Sequence, residues 1–449
     1  MAEEISRKIN VLEVNTTFQS YAGAQKTMVN FCKYYNKTFF SFFAVSYGEG
    51  GVLEDQLKLL GVPFLVANGS ISAIIDFMQK HNIDIVHIHR SGKFNTFEFN
   101  LLKAIREKFS QAVIIETNVF AQVDKQSLSL IDCHLCKSKM MINERFVSAI
   151  GSFDFSKMKV LYNPVDIVQL EELVCLDHEV REHKKQLGIA EDDFVIGRLG
   201  RPDVSKWDDL LLDMVPYLIR LIPNIKFIIQ AAPISRERKV KNSLLNQYII
   251  FLPATNVVKN IALFYKTIDV YVHASKIGES FGMTLAEAGV FKKPTIVNST
   301  PHKDNNQVEL IDHMKTGIIA NTPQTFARAV EFLYRNPQVC SEMGQKAYDK
   351  VLAAYHPERI TRQLEKIFID KIKEKGKYLD LSAQAFYDKI AYYPSRKEIE
   401  DFKLEYKKRR DDDFGNLTFG EKLENLLRKP KKIKQKIEDL LEHRYNINF

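Results

Sequence analysis

Apolar strands alternate with amphipathic helices in two separate series, and this repeated pattern constrains the fold more than any other feature of the chain. The first series opens with a strand over 9–14 and a helix over 24–35, and it continues to a strand over 113–117. The second series starts at Phe194 and continues to a strand over 317–320. Strands that are joined by helices form parallel sheets, and 449 residues are too many for one ordinary core. We therefore predict an α/β protein in which two doubly wound sheets face each other across a cleft.

A turn-prone segment, Tyr162-Asn-Pro-Val-Asp166, separates the two series. It predicts an N-terminal domain over 1–167 and a C-terminal domain over 168–356. The helical pattern that follows predicts a helix over 357–376 and a charged helical tail over 377–449. Ligands of doubly wound sheets bind at the carboxyl ends of the strands, so we expect the functional residues on the loops that follow strands.

Composition bears on the compartment and on the cysteines. The sequence has no run of about 18 apolar residues and no basic, apolar leader, which predicts a cytoplasmic protein or one peripheral to the cytoplasmic membrane face. The five cysteines are scattered, which indicates reduced thiols. Cys133-His-Leu-Cys136 has the spacing of a redox or zinc motif. Because no second cysteine pair follows, we interpret this segment as a buried strand.

Two acids, Glu279 and Glu287, lie where a strand over 269–275 should hand over to a helix. The helix is predicted to open at Ser280-Phe-Gly282, and the free backbone N–H groups of such a start favour an anionic phosphate. An acid on either side of the start can accept hydrogen bonds from hydroxyl groups of a sugar or ribose. This is the chemistry of a nucleotide sugar, although the pair is equally consistent with ordinary helix-end and solvent-exposed charges.

The first strand of the second series runs into Gly200-Arg-Pro-Asp-Val-Ser-Lys206, which places two cations five residues apart on one loop. Arg201 offers a planar fork and Lys206 a point charge, which together suit a diphosphate leaving group. No Asp-rich metal cluster accompanies them. The corresponding turn after the first strand of the chain has only Gly23 and lacks Gly-x-Gly-x-x-Gly, which argues against a nicotinamide or flavin enzyme.

Two histidines lie close together in Asp84-Ile-Val-His-Ile-His89. We expect His87 and His89 to face opposite ways on their strand, with His89 in the cleft because it lies nearer the strand end. His87 is then expected to be a packed histidine. His273 lies inside a later strand near Glu279, and the sequence leaves it open between a hydrogen-bonded core position and the donor pocket.

Taken together and in this order, the motifs resemble those of the retaining nucleotide-sugar glycosyltransferases of family four, which have the GT-B fold of two facing Rossmann-like domains. The resemblance covers roughly residues 8–375. The matching pieces are the turn at Gly23, Asp84–His89, Tyr162–Asp166, Gly200 and Arg201 with Lys206, Glu279 with Glu287, and Asp304–Glu309 followed by Gly317.

The resemblance implies a role for each matching residue. Arg201 and Lys206 would bind the donor diphosphate and stabilise its departure, and Glu279 would contact the transferred sugar. Glu287 would hold the ribose hydroxyl groups. The remaining donor-binding residues that it implies are Gly23, Ser280, Phe281, Gly282, Met283 and Thr284.

The implied reaction moves a hexose-type sugar from a nucleoside diphosphate sugar to a glycan or lipid-linked acceptor, with retention and without a metal or cofactor. The N-terminal domain would form the acceptor site and the C-terminal domain the donor site. As in relatives with this fold, the helix over 357–376 would cross back to the first domain.

Two departures from the family pattern affect the acceptor side. Asn118 stands where the family often has a histidine, and Ala22 and Gln25 stand near the first helix where a second glycine and a glutamate are usual. Asn118 can bond a sugar hydroxyl but cannot act as a base. With His89 it forms the candidate acceptor set. Two alternatives stay open: a non-catalytic nucleotide-sugar or glycan binding protein with the GT-B fold, and a GT-B nucleotide-sugar epimerase.

The tail ends in a basic amphipathic segment over 418–449. Its apolar positions have helical spacing, and lysines and arginines surround them. Such a helix can bind an anionic membrane surface, or it can pack its apolar stripe against the protein and leave the lysines in water. Nucleic-acid binding is disfavoured because the basic run lacks interleaved aromatic residues.

Overall fold

Two parallel sheets form the cores of two domains, which confirms the predicted α/β class. The computed structural model describes residues 4–5, 7–19, 23–120, 122–142, 156–173, 177–255, 257–301 and 303–414. Its strands are β1 (Glu4–Ile5), β2 (Ile9–Asn15), β3 (Phe40–Ser46), β4 (Phe64–Val66), β5 (Ile85–Arg90), β6 (Val113–Asn118), β7 (Cys133–Cys136), β8 (Met158–Val160), β9 (Phe194–Leu199), β10 (Ile225–Gln230), β11 (Ile249–Leu252), β12 (Val270–His273), β13 (Thr295–Val297), β14 (Gly317–Ile319) and β15 (Tyr378–Leu379).

Helices connect the strands of both sheets and form most of the C-terminal region. They are α1 (Gly23–Tyr34), α2 (Leu53–Leu59), α3 (Ile71–Lys80), α4 (Thr96–Lys108), α5 (Lys139–Met141), α6 (Ile167–Glu172), α7 (Asp177–Gln186), α8 (Leu210–Asp213), α9 (Val215–Leu221), α10 (Ile234–Lys241), α11 (Val258–Thr267), α12 (Met283–Val290), α13 (Gln307–Leu310), α14 (Pro323–Arg335), α15 (Pro337–Tyr355), α16 (Pro357–Glu374), α17 (Leu381–Asp388) and α18 (Arg396–Phe414), with single 3₁₀ turns at Leu128–Leu130 and Leu244–Gln247.

The N-terminal sheet has the strand order β4-β3-β2-β5-β6-β7-β8, and all of its pairings are parallel. Val11 of β2 lies between Phe42 of β3 and Ile85 of β5 in the register. These β-branched and aromatic residues are buried because helices cover both faces of the sheet. The direction of strand succession reverses between β2 and β5.

The C-terminal sheet has the order β11-β10-β9-β12-β13-β14 and is also entirely parallel. Its succession reverses between β9 and β12. In doubly wound sheets the crevice at this reversal, outside the carboxyl ends of the strands, is where ligands bind. Each domain therefore provides one such crevice.

Helix α16 lies after the C-terminal sheet in the chain but packs against the N-terminal domain. Glu365 of α16 accepts a hydrogen bond from the backbone N–H of Asn36, at 2.5 Å, and the ring of Phe368 packs at 6.4 Å from that of Phe42. Further on, β15 pairs in parallel with β1. The C-terminal helices are thus held to the first domain by both side-chain and backbone contacts.

The Cys133–Cys136 pair lies on β7, in the middle of the N-terminal core. Both residues are fully buried free thiols, and burial raises the pKa of Cys133 to about 12. A thiol with so high a pKa is a poor nucleophile and a poor metal ligand at neutral pH. The structure thus agrees with the interpretation of this segment as a buried strand.

None of the described helices has the length and apolar character needed to cross a membrane. The basic segment over 418–449, for which the sequence leaves both membrane contact and packing against the protein open, lies outside the described residues.

Candidate functional site

A cavity of about 700 Å³ lies between the two domains, where the carboxyl ends of β2 and β5 face those of β9 and β12. The two crevices that the strand orders create therefore open onto one space. Among the residues selected from the sequence, those that line this cavity are Gly23, His89, Arg201, Lys206, Glu279, Ser280, Phe281, Gly282, Met283, Thr284 and Glu287. The structure brings the donor-side set together at one place, while the chemical roles of its members stay predictions.

The loop that carries Glu279 is held in place by the segment that precedes α13. The side-chain oxygen of Gln307 accepts a hydrogen bond from the Glu279 N–H at 3.0 Å, and the Asn306 N–H donates to the Glu279 carbonyl at 2.9 Å. The Asn306 side chain donates to the carbonyl of Phe281 at 2.6 Å. Asn306 makes no side-chain hydrogen bond that caps α13, so its amide braces the Glu279 loop instead.

Helix α12 begins after Gly282, whose backbone has φ +101° in the left-handed region. A Cβ atom at this position would lie 2.8 Å from Leu285 Cδ1 and 3.1 Å from Leu310 Cδ1, so both the backbone angle and the space require glycine. Met283 and Thr284, the first residues of α12, line the cavity, and the first N–H groups of a helix have no partner within it. Their partial positive charge suits an anionic ligand.

Gly282→Ala is expected to lower the free energy of unfolding by about 2 kcal/mol, because it adds left-handed strain and crowds two leucines. The free energy of unfolding is measured by urea titration, and thermal unfolding gives the accompanying change in melting temperature. Gly188→Ala is the matched control, since Gly188 has φ +68° but no atom within 4 Å of an added Cβ, so it carries the strain without the crowding. Equal stability losses in the two variants would contradict a packing role for Gly282.

The centre of the site is an ion pair between Lys206 Nζ and Glu279 Oε2, at 2.9 Å. The other carboxylate oxygen, Oε1, lies 3.3 Å from Nε2 of His273. Burial opposes ionisation of Glu279, but the Lys206 ammonium and the His273 contact outweigh it and lower the pKa of Glu279 to about 2. Burial also lowers the pKa of His273, so its ring is neutral at physiological pH. Glu279 is therefore an anion held beside the Lys206 ammonium, and His273 lines the same cavity.

Glu287 is contacted from both domains. Lys26 of α1 bonds its Oε1 at 2.8 Å, and Tyr265 of α11 donates to Oε2 at 3.3 Å. The same tyrosine hydroxyl lies 2.9 Å from the carbonyl of Thr284. The Lys26–Glu287 pair joins the two walls of the cavity, and sequence reasoning missed it because the two residues are 261 positions apart.

Three further cations line the cavity and were not selected from the sequence, namely Lys33, Lys137 and Arg198. Arg198, on β9, is only 2% exposed and stacks on Trp207 at 4.8 Å, and its Nε and Nη1 have no hydrogen-bond partner in the described part of the chain. Lys137, directly after β7, is also 2% exposed. Lys137 could have been found from the rule that ligands bind after strand ends. Arg198 had no such signal because it lies inside an apolar strand.

The expectation that His87 and His89 face opposite ways is wrong. Residues two apart on a strand share a face, and both rings contact Glu13 of β2: His87 Nδ1 lies 2.7 Å from Oε1 and His89 Nε2 lies 2.8 Å from Oε2. His87 Nε2 also bonds Thr117 at 2.7 Å. His89 lines the cavity, as expected, and its buried Nδ1 has no partner among the described residues.

Within the described ranges, Glu13, His87 and His89 form the one group whose metal-ligating atoms all lie within 4.8 Å of one another. These atoms are occupied by hydrogen bonds to each other, and all three residues are fully or almost fully buried. Burial, with the nearby charge of Lys137 acting in the same direction, lowers the pKa of His89 to about 4. We interpret the group as a polar support that holds a neutral His89 ring at the cavity wall.

Asn118 is not among the residues that line the cavity. Its side chain is buried and closes the following loop: Nδ2 donates to the carbonyl of Gln122 at 2.6 Å, and Oδ1 accepts from the N–H of Phe120 at 3.2 Å. The structure thus gives Asn118 a role in shaping the loop, and the neighbouring Val119 and Phe120 line the cavity in its place.

Comparison with known proteins points to one class. The family model described as "Glycosyl transferases group 1" matches residues 179–350. N-acetyl-alpha-D-glucosaminyl L-malate synthase of Bacillus anthracis is 22% identical over 323 residues, which covers 68% of this chain and 79% of that protein.

Solved structures with a similar fold include a glycosyltransferase from Rickettsia africae, with a TM-score of 0.68 and 16% identity over 82% of this chain and 99% of that one. Anabaena Alr3699/HepE in complex with UDP has a TM-score of 0.65 and 17% identity, over 81% of this chain and 100% of that one. The GT-B arrangement of two Rossmann-like domains is therefore the fold of this chain.

Proposed function

We propose, from the premise that residues 179–350 form a group 1 glycosyltransferase domain, that this chain transfers a hexose-type sugar from a nucleoside diphosphate sugar to a hydroxyl group of a glycan or lipid-linked acceptor. The proposed transfer retains the anomeric configuration and uses no metal ion. The observation that carries the proposal is the Lys206–Glu279 ion pair beside the start of α12. This pair lies on the wall of the cavity between the two Rossmann-like domains.

The donor would lie along the C-terminal wall. Arg201 is exposed at the cavity rim and Lys206 lies deeper, so the two cations would hold a diphosphate and stabilise the charge that grows as the glycosidic bond breaks. Glu287, which lines the same cavity, would accept hydrogen bonds from ribose hydroxyl groups. HepE of Anabaena is a fold neighbour whose structures contain UDP and UDP-glucose, which supports a nucleotide sugar as the donor class.

Glu279 would contact the transferred sugar. An ionised carboxylate stabilises an oxocarbenium-like sugar ring, while Lys206 stabilises the departing phosphate. With these two charges fixed in place, the acceptor can attack from the face that the diphosphate leaves, and no covalent nucleophile is required. Across the cavity, the neutral His89 ring supplies a hydrogen-bonding nitrogen for the acceptor hydroxyl.

The proposal is tested by incubating the full chain with a panel of uridine, guanosine and adenosine diphosphate sugars and following the release of nucleotide and the mass of the product. We expect one nucleotide to be preferred, an α-linked product from an α-linked donor by NMR, and turnover that is unchanged by EDTA. An inverted product would contradict the retaining mechanism, and loss of turnover in EDTA would contradict metal independence. Binding without turnover of any donor would favour the non-catalytic alternative.

A further inference from the structure

Lys137 is held at the end of β7 on the N-terminal wall of the cavity. Its backbone N–H lies 3.2 Å from the sulfur of Met141, and the hydroxyl of the adjacent Ser138 accepts a hydrogen bond from the Met141 N–H at 3.1 Å. These contacts fix the turn that follows the strand. The Lys137 residue is 98% removed from solvent and lines the cavity.

Lys137 lines the cavity and makes no ion pair within 4.0 Å in the described part of the chain. The cavity is lined by six basic residues and three acidic ones. Three of the lysines are paired, and these pairs are Lys26 with Glu287, Lys33 with Asp166 and Lys206 with Glu279. Lys137, Arg198 and Arg201 make no ion pair among the described residues. A buried cation without a partner is costly, so such a group is stabilised when a ligand brings the opposite charge.

The number of unmatched cations exceeds what a donor diphosphate needs. A diphosphate that links a nucleoside to a sugar carries two negative charges, whereas three cations face the cavity unpaired. Arg198 and Arg201 lie on the C-terminal wall, on β9 and the loop that follows it. Lys137 alone of the three comes from the opposite wall, away from Arg201 and Lys206, which are proposed to hold the diphosphate.

The neighbours of Lys137 place it between the two halves of the site. Its charge acts on His89, on the acceptor side, and the charge of Lys206, on the donor side, acts on Lys137. Asp304 also acts on it, in the opposite sense. Lys137, His89 and Lys206 all line the same cavity, so an acceptor bound beside His89 lies within the same space as Lys137.

We infer that Lys137 binds a carboxylate or phosphate group of the acceptor, so that the acceptor is an anionic alcohol whose charged group lies close to the attacking hydroxyl. This inference rests on the proposed glycosyl transfer and names the chemical class of its acceptor. It applies to a glycan that carries a uronate or phosphate as well as to a phosphorylated lipid, because each of them offers anionic oxygen atoms to the Lys137 ammonium.

The test compares matched acceptors that differ only in charge: a hydroxy acid against its amide, and a sugar phosphate against the free sugar. We expect a preference of about 30-fold or more in kcat/KM for one anionic member over its neutral partner, the scale of a buried charge pair. The pair that shows the preference identifies carboxylate or phosphate. Lys137→Met keeps the aliphatic stem and is expected to remove the preference by raising the acceptor KM.

Lys33→Met is the control, since Lys33 also lines the cavity but is already neutralised by Asp166, 2.8 Å away. This variant should keep the preference for the anionic acceptor. The affinity for the preferred donor, measured by calorimetry, and the slow hydrolysis of that donor without acceptor should be the same in Lys137→Met and in the unmodified chain. A rise in donor KM instead would assign Lys137 to the diphosphate and overturn the inference.

The pH profile gives an independent readout. Burial lowers the pKa of Lys137 to about 8, with Lys206 acting in the same direction and Asp304 against it. Raising the pH through about 8 removes the ammonium charge, so kcat/KM for the anionic acceptor should fall there. Lys137→Arg should keep its activity above pH 8, and Lys137→Met should lack this fall in activity.

Normal donor hydrolysis with no acceptor charge preference would overturn the inference alone, whereas no donor turnover at all would overturn the proposed function and the inference together.

Discussion

Glu279→Ala is expected to reduce the rate of sugar transfer by about two to three orders of magnitude, the scale of losing one charged contact that is made in the transition state. Glu279 is ionised, lies on the cavity wall and is paired with Lys206, so its negative charge is in place before the donor sugar develops positive charge. The reduction should appear mainly in kcat, measured as product formed per time at saturating donor.

A structural defect could also lower activity, because removing Glu279 leaves Lys206 without its partner. The double variant Glu279→Gln with Lys206→Met separates the two explanations, since it replaces the ion pair by two neutral side chains of similar size. We expect the melting temperature of the double variant to be closer to that of the unmodified chain than the melting temperatures of Glu279→Gln and Lys206→Met are. All three variants should stay inactive. Recovery of activity together with stability would contradict the catalytic assignment.

The low pKa of Glu279 also has a consequence for stability. Its pKa in the folded chain is about 2, below the ordinary value of 4.5, so the unfolded chain binds the proton more tightly. The stabilisation that Glu279 contributes is therefore fully present above about pH 4.5 and is lost as the pH falls towards 2. It follows that an acid limb in the activity profile near pH 5 or 6 cannot arise from protonation of this carboxylate.

The sequence was sufficient for those features of the site that depend on local rules. A glycine-opened helix after a strand located Gly282 and its neighbours, and the cations of the Gly200–Lys206 loop followed the first strand of the second series. In each case the functional residues lie in the turn that follows the carboxyl end of a strand. The order of strands in both sheets then brings these turns to one cleft. Because that order is the usual one for doubly wound sheets, the pattern of elements also predicted the fold.

Other features depend on contacts that no local pattern encodes. The Lys26–Glu287 pair forms only when the two domains meet, and Glu13 supports two histidines from a neighbouring strand. Arg198 gives no signal within its apolar strand, yet its guanidinium is buried against Trp207. Asn118 was selected by its place in the chain, but its amide is used by the loop that it begins. Each of these contacts depends on how the chain packs in three dimensions, which the spacing of residues along the sequence does not reveal.

Lys206→Met is expected to lower kcat by about two orders of magnitude or more, because methionine keeps the length and apolar body of the side chain but removes the charge that is proposed to stabilise the departing diphosphate. The donor KM should rise less than kcat falls, since Arg201 and the N–H groups of α12 still face the bound phosphates. Steady-state kinetics with the preferred donor, together with the melting temperature, measure both effects.

Lys276→Met is the matched control for this experiment. The Lys276 side chain is exposed and does not line the cavity, yet its backbone N–H bonds the carbonyl of Lys206 at 3.1 Å, so the variant removes one lysine charge from the same neighbourhood. We expect its kcat to stay within a factor of about three, because exposed charges are screened by solvent and salt.

If a donor with a better leaving group than a nucleoside diphosphate is accepted, Lys206→Met should lose much less activity with it, because less charge must then be stabilised on the departing oxygen. An equal loss with both donors would mean that Lys206 acts by holding Glu279 in place and not on the leaving group.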